Sequence, residues 1–150
     1  MRVALSILLA FTACLASDAY RRGCLDESKA VPLCKMLTNP ETYDGRQVIV
    51  HGVYRMVLHG SVLTAPECAG TYVNLREAEG YRADKLALKV IRSAIKKDQF
   101  QPVDVVIRGI FRSARQGQCF GQNCLLYEIE SRVLLCAQAQ SNVPAATERH

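Results

Sequence analysis

Val48-Ile49-Val50-His51-Gly52-Val53-Tyr54-Arg55 and Val105-Val106-Ile107-Arg108-Gly109-Ile110-Phe111-Arg112 share one pattern: alternating apolar residues, a glycine in the middle, and an aromatic residue followed by arginine. A period of two marks an extended strand with one buried face. In the first strand, from Arg46, that face is Val48, Val50, Gly52, Tyr54 and Met56, while Gln47, His51 and Arg55 share the other with Ile49 and Val53. In the second it is Val103, Val105, Ile107, Gly109 and Phe111, set against Asp104, Arg108 and Arg112. A glycine inside a strand marks a bulge or sharp bend, which lets one strand turn a corner or serve two sheets. The match is too short to be a repeat and reads as shared geometry.

Between these strands lie two shorter candidates, Ser61 to Ala65 and Thr71 to Leu75, and then a helix from about Arg82 to Lys97. Leu88, Ile91 and Ile95, with Ala87 and Ala94, give that helix one apolar face. A last strand is expected from Leu125 to Leu135, with Leu125, Tyr127, Ile129, Val133 and Leu135 inward and Glu128, Glu130 and Arg132 outward. Ahead of the first strand, Pro32 opens a short helix through Leu33, Cys34, Met36 and Leu37, because proline suits a first helical turn. Asn39-Pro40 stops it, and Tyr43-Asp44-Gly45 makes a turn. Residues 17–30 read as an irregular lead-in, 31–136 as the folded domain, and 137–150 as a disordered polar tail.

The chain has 150 residues, and its start has the layout of an export signal: Arg2, an apolar run from Val3 to Ala13, and small residues after it. The run is shorter than the roughly 20 residues a membrane-crossing helix needs. Cleavage after Ala16, with Ala19 as the alternative, leaves one domain of ordinary size and excludes a large multidomain enzyme. The compartment then explains the seven cysteines. Cys14 falls inside the signal, or, if Phe11-Thr12-Ala13-Cys14 is a lipoprotein box, becomes an acylated first residue. Cys24, Cys34, Cys68, Cys119, Cys124 and Cys136 remain, an even set that reads as a disulfide framework in an exported chain. Cys119 and Cys124 are expected to pair, because Gly121 and Asn123 between them permit a tight turn; the spacing leaves the other pairings open. A metal site is the weaker reading, since no C-x2-C knuckle occurs and His51, His59 and His150 lack zinc spacing. No cofactor is called for. The net charge of +5 suits solubility and anionic surfaces but does not by itself imply nucleic-acid binding.

The order β-β-β-α-β-β, with long bent strands first and fourth, resembles the OB-fold, a five-stranded Greek-key barrel with a helix between strands three and four. The run Asn39-Pro40-Glu41-Thr42-Tyr43-Asp44-Gly45-Arg46-Gln47-Val48-Ile49-Val50-His51-Gly52 is similar to the opening of an uncharacterised group of exported bacterial proteins with this kind of barrel. His59 to Leu63 and Pro66-Glu67-Cys68 resemble that group too. The resemblance spans roughly residues 30–136 and implies an architecture; it implies almost nothing about activity, because one fold hosts many functions.

The usual ligand surface of such a barrel is the outer face of strands two and three with the loops after strands one and four. Mapped by position, the resemblance collects Arg55, His59, Tyr72, Asn74, Arg76, Arg115 and Phe120, aromatic platforms beside cations. Lys85, Lys89, Arg92 and Lys96 form a second, separate candidate: one cationic line at i, i+4, i+7 and i+11 of the helix, weighed against an ordinary solvated face. His59 with Ser61 invites a nucleophile and base, but no G-x-S-x-G elbow surrounds Ser61, and a turn followed by an edge strand explains the same letters. The leading expectation is a non-enzymatic binding or interaction module of the cell envelope. Its partner would be an anionic envelope component or a protein rather than nucleic acid, with membrane contact only if Cys14 is lipidated. A small hydrolase using His59 and a lipoprotein anchored through Cys14 are the alternatives.

Overall fold

A computed structural model of the chain describes residues 29–140. The export signal, its cleavage point, Cys14, Cys24, the lead-in up to residue 28 and the tail from 141 lie outside the described residues. The elements are β1 (Val31–Pro32), α1 (Leu33–Thr38), α2 (Pro40–Tyr43), β2 (Gln47–Val57), β3 (Gly60–Thr64), a 3-10 turn (Pro66–Cys68), β4 (Val73–Ala83), α3 (Lys85–Lys97), β5 (Val103–Ser113) and β6 (Tyr127–Ala139).

The protein is mainly β, built on a six-stranded mixed sheet in the order β1-β2-β3-β4-β6-β5. β2 also pairs with β5, so ladders run from β2 through β3, β4, β6 and β5 back to β2. The bend inferred from Gly52 is where β2 changes partner: Gln47 to Tyr54 pair with β5, and Val53 to Val57 pair with β3. Gly109 sits at a register shift between β5 and β6, where a Cβ would lie 2.5 Å from the Glu130 carbonyl oxygen and 2.7 Å from Ile129 Cγ2. Only glycine admits so close an approach.

Several expectations change. The sheet has six strands, because Val31–Pro32 adds a two-residue parallel edge to β2, too short to show any period. The single short helix is two, since Asn39 breaks the first and Pro40 starts another at its first turn. The third strand runs from Val73 to Ala83, not from Thr71 to Leu75, and the helix starts at Lys85 rather than Arg82. Its second half, Arg76-Glu77-Ala78-Glu79-Gly80-Tyr81-Arg82, carries too many charges to read as a strand. It is held by parallel pairing with β6, from which it departs between Glu77 and Arg82, with Gly80 at φ +74°. The last strand runs from Tyr127 to Ala139, past the expected boundary at 136, and its facing differs. Ile129, Leu134 and Ala137 reach the core, while Leu135 packs with Val106 and Cys136 in a separate cluster. The shift in pairing between Arg108 and Gly109 skips Arg132, which reverses the alternation downstream.

The core joins Leu33 and Met36 of α1 to Val48, Val50, Leu63, Val73, Val105, Ile107, Phe111, Ile129 and Leu134 of the sheet, all nearly inaccessible. Met56, expected on the buried face of β2, is exposed near that strand's end. Each such aliphatic or aromatic side chain contributes roughly 1.5–3 kcal/mol when fully buried. α3 adds Ala87, Ile91 and Ala94 to the core, so its opposite face is turned to solvent. Cys34 is bonded to Cys68, tying α1 to the 3-10 turn, and Cys119 is bonded to Cys124 as their spacing suggested. Cys136 is disulfide-bonded as well. Disulfides in a domain of this size fit an oxidising compartment. No helix among the described residues is long and apolar enough to cross a membrane.

Candidate functional site

Two concave surfaces adjoin one another at Tyr72, and a third adjoins the first of them. The first, about 360 Å³, lies between Val53 and Arg55 of β2, Thr64 of β3, and the segment Ala65 to Tyr72, with Gln140 at one edge. The second, about 350 Å³, shares Gly70, Thr71 and Tyr72 and continues to Leu37 and to Cys124, Leu125, Leu126 and Tyr127. Tyr72 therefore forms the ridge between them, 45% exposed, with Leu126 61% exposed on its far side. The third is a narrower recess of about 150 Å³ that shares Val53, Ala65, Pro66 and Gln140 with the first and adds His51, Glu67 and Asp104.

Local chemistry explains the shape. The Cys68 amide donates to the Ala65 carbonyl at 3.2 Å and the Thr71 amide to the Cys68 carbonyl at 3.2 Å, so the chain coils twice before Tyr72. Gly70, at φ +86°, makes the reversal that a side chain would resist. The Cys34–Cys68 bond then holds this segment against α1. In the recess, His51 Nε2 is buried without a hydrogen-bond partner, whereas the Asp104 carboxylate accepts from Gln140 Nε2 at 3.1 Å. Unpaired buried polar atoms are uncommon in native folds and mark places where a ligand or water can be received.

The residues grouped by position do not form one site. Arg55 and Tyr72 meet in the first groove. Asn74 and Arg76 are engaged elsewhere: Asn74 Nδ2 donates to Glu128 at 2.9 Å, and Arg76 donates to Glu128 at 3.2 Å and to Glu130 at 2.5 Å. Arg112 and Arg132 approach Glu130 at 3.7 and 4.0 Å, which completes a charge network on the outer side of β4, β5 and β6. Glu128, expected outward and solvated, is only 5% exposed beneath it. The hydrogen bond to Glu128 is the first cause holding the Arg76 guanidinium above its ordinary pKa. The loop before β6 lies against this network, since a Cβ on Gly121 would come 2.7 Å from Asn74 Oδ1. Arg115 is exposed on that loop, and Phe120 pairs there with Leu125.

His59 is exposed in the turn between β2 and β3 and lines none of these grooves. Ser61 follows in β3, where its hydroxyl acts on that of Tyr54, lowering a pKa that burial raises more strongly. Lys85, Lys89, Arg92 and Lys96 do come together, lining a separate shallow groove of about 340 Å³ on α3 with Leu88 and Ser93. Among the described residues no group of three or more His, Cys, Asp or Glu is placed to hold a metal ion. Sequence reasoning missed the segment Ala65 to Thr71 and the recess at His51. Their only advance signals were the proline at 66 and glycine at 70, which punctuate the chain without saying what they face.

Comparison with family models, curated proteins and solved structures returned no match to the chain.

Proposed function

We propose that the chain is an exported binding or interaction module of the cell envelope, which receives an extended segment of a partner protein in the groove divided by Tyr72. Tyr72 carries this reading: a half-exposed aromatic ridge between two adjoining grooves is a rigid anchor for side chains on either side of it. The linings favour peptide. Val53, Ala65, Pro66 and Ala69 on one side and Leu37, Leu125 and Leu126 on the other offer apolar contact, with Arg55 as one cationic contact at the edge.

An OB-like barrel is the frame we propose for it. The ladder order β2-β3-β4-β6-β5-β2, the parallel pairing of β4 with β6, and α3 placed between β4 and β5 support that reading. The early departure of β4 from β6 and the two-residue β1 are the irregularities it must accommodate. Export is supported by the disulfides together with the leader-like start of the chain. Membership of the group of exported bacterial barrel proteins rests on the same features.

The test is a displayed peptide library selected against the full oxidised chain, followed by titration of the enriched peptides against variants. Tyr72→Ala should lower affinity by about tenfold or more, as for a central aromatic anchor. Lys35→Ala, exposed on α1 away from the groove, should leave it unchanged. Peptides that bind Tyr72→Ala as tightly as the parent would refute this seat.

A further inference from the structure

The cations of this protein fall into two populations. Arg76, Arg112 and Arg132 are neutralised by Glu128 and Glu130. Lys85, Lys89, Arg92, Lys96 and Lys97 of α3 make no ion pair among the described residues, and α3 contains no acidic residue. The nearest acids in sequence are committed to backbone. Asp84 accepts from the Leu86 and Ala87 amides at 2.9 Å each, and Asp98 accepts from the Phe100 amide at 3.0 Å.

Packing fixes the direction of this charge. Ala87, Ile91 and Ala94 are buried in the core, so the cations on the other side of the helix are held facing solvent. Lys85, Lys89, Arg92 and Lys96, with Leu88 and Ser93 between them, line one shallow, open groove along the surface of the helix itself. With about 1.5 Å of rise per residue, the charges advance along the axis by roughly 6, 4.5 and 6 Å, about 16.5 Å in all. Like charges at these spacings oppose one another unless a partner of opposite sign lies along them.

We infer that this groove on α3 binds a linear acidic polysaccharide, a chain of sugar rings carrying regularly spaced carboxylates or sulfates. The inference is independent of the peptide groove at Tyr72, with which it shares no residue. A line of cations set in a groove matches a linear polyanion: each step accommodates about one ring, the ammonium and guanidinium groups meet the anionic substituents, and Leu88 offers an apolar floor for a ring face. A flat bilayer spreads its charge over a plane rather than along this single line. Nor does α3 have an apolar face to insert, because that face is already packed in the core. Bilayer binding is therefore the competing outcome rather than part of the proposal.

The experiment titrates the full oxidised chain with hexagalacturonate at low and high salt, its methyl ester, phosphatidylglycerol vesicles and a single-stranded oligonucleotide. Hexagalacturonate should bind, weaken steeply as salt rises, and shift the amide resonances of Lys89 and Arg92; its methyl ester should not bind. The double variant Lys89→Glu/Arg92→Glu should lose about tenfold or more in affinity. Lys35→Glu/Arg46→Glu carries the same change of net charge at exposed positions off the helix and should lose far less. Both pairs are exposed, so folding is checked simply by retention of the oxidised mass and circular dichroism spectrum. The inference is overturned if hexagalacturonate does not bind at low salt, if its ester binds equally, if the two double variants lose affinity alike, or if vesicles or oligonucleotide bind more tightly.

Discussion

Arg76 and Glu128, far apart in sequence, meet because β4 and β6 run parallel: the guanidinium Nε donates to Glu128 Oε1 at 3.2 Å while Nη2 reaches Glu130. Asn74, directly opposite Glu128 in the same ladder, donates to its other oxygen at 2.9 Å. A carboxylate that is 5% exposed is thus held by two donors from a single strand. Removing a partner of a buried charge costs more than the net worth of the contact, because the remaining group stays desolvated. Arg76→Ala should lower stability by about 1–3 kcal/mol in urea titrations at neutral pH. Arg112→Ala, whose 3.7 Å contact is solvent-accessible, should cost less than about 1 kcal/mol.

The two strand glycines should respond unequally to alanine. A Cβ at 109 would lie 2.5 Å from the Glu130 carbonyl oxygen, whereas one at 52 would lie 3.3 Å from the Thr64 carbonyl oxygen. Gly109→Ala must therefore move backbone in β6 and should destabilise by about 1–3 kcal/mol, as overpacking does. Gly52→Ala needs only a shift of a few tenths of an ångström and should cost clearly less. Denaturant midpoints of the two variants give the comparison directly.

Loop closure ranks the Cys34–Cys68 bond above the Cys119–Cys124 bond. Cys34 and Cys68 are separated by 34 positions and Cys119 and Cys124 by 5. Chain entropy then assigns about 4 kcal/mol to the first and about 2 kcal/mol to the second. Cys34→Ser/Cys68→Ser should lower the melting temperature more than Cys119→Ser/Cys124→Ser. Because the Cys34–Cys68 bond also anchors the segment leading to Tyr72, the first variant should in addition weaken peptide binding.

The alkaline limb of stability should carry the signature of Tyr81, with burial shifting Tyr54 in the same direction. Burial, then Glu77, then Tyr54, push the Tyr81 hydroxyl up to about 12. An unfolded tyrosine ionises near 10, so between about pH 10 and 12 the unfolded state releases a proton that the folded state keeps. The stabilisation from Tyr81 is complete below about pH 10 and is lost as pH rises toward 12. Tyr81→Phe should therefore lose less stability than the parent between about pH 9 and 11.5, measured by urea unfolding at each pH.

Much of the framework is legible in the residues themselves. The alternation at 48–55 and 105–112 marks β2 and β5, which pair with each other over Gln47 to Tyr54. The apolar face of α3 is visible in Ala87, Ile91 and Ala94, and the short interval between Cys119 and Cys124 foreshadows their bond. These are local facts: strand and helix periods and the reach of a turn are set by covalent geometry over a few residues.

The remainder depends on who stands opposite. Residues 76–81 fall between the strand and the helix expected from the sequence, and β4 continues through them because β6 pairs with it at Arg76 and Glu77 and again at Arg82 and Ala83. Glu128 reads as solvated and becomes buried because Asn74 and Arg76 arrive from 54 and 52 positions away. Tyr72 becomes a ridge between grooves only once the Cys34–Cys68 bond and the coil at Pro66 bring α1, β2 and the loop before β6 around it. Alternation states that a residue faces one side of a strand. It carries no information about which distant segment covers that side, and pairing across the sheet decides both burial and the shape of the site.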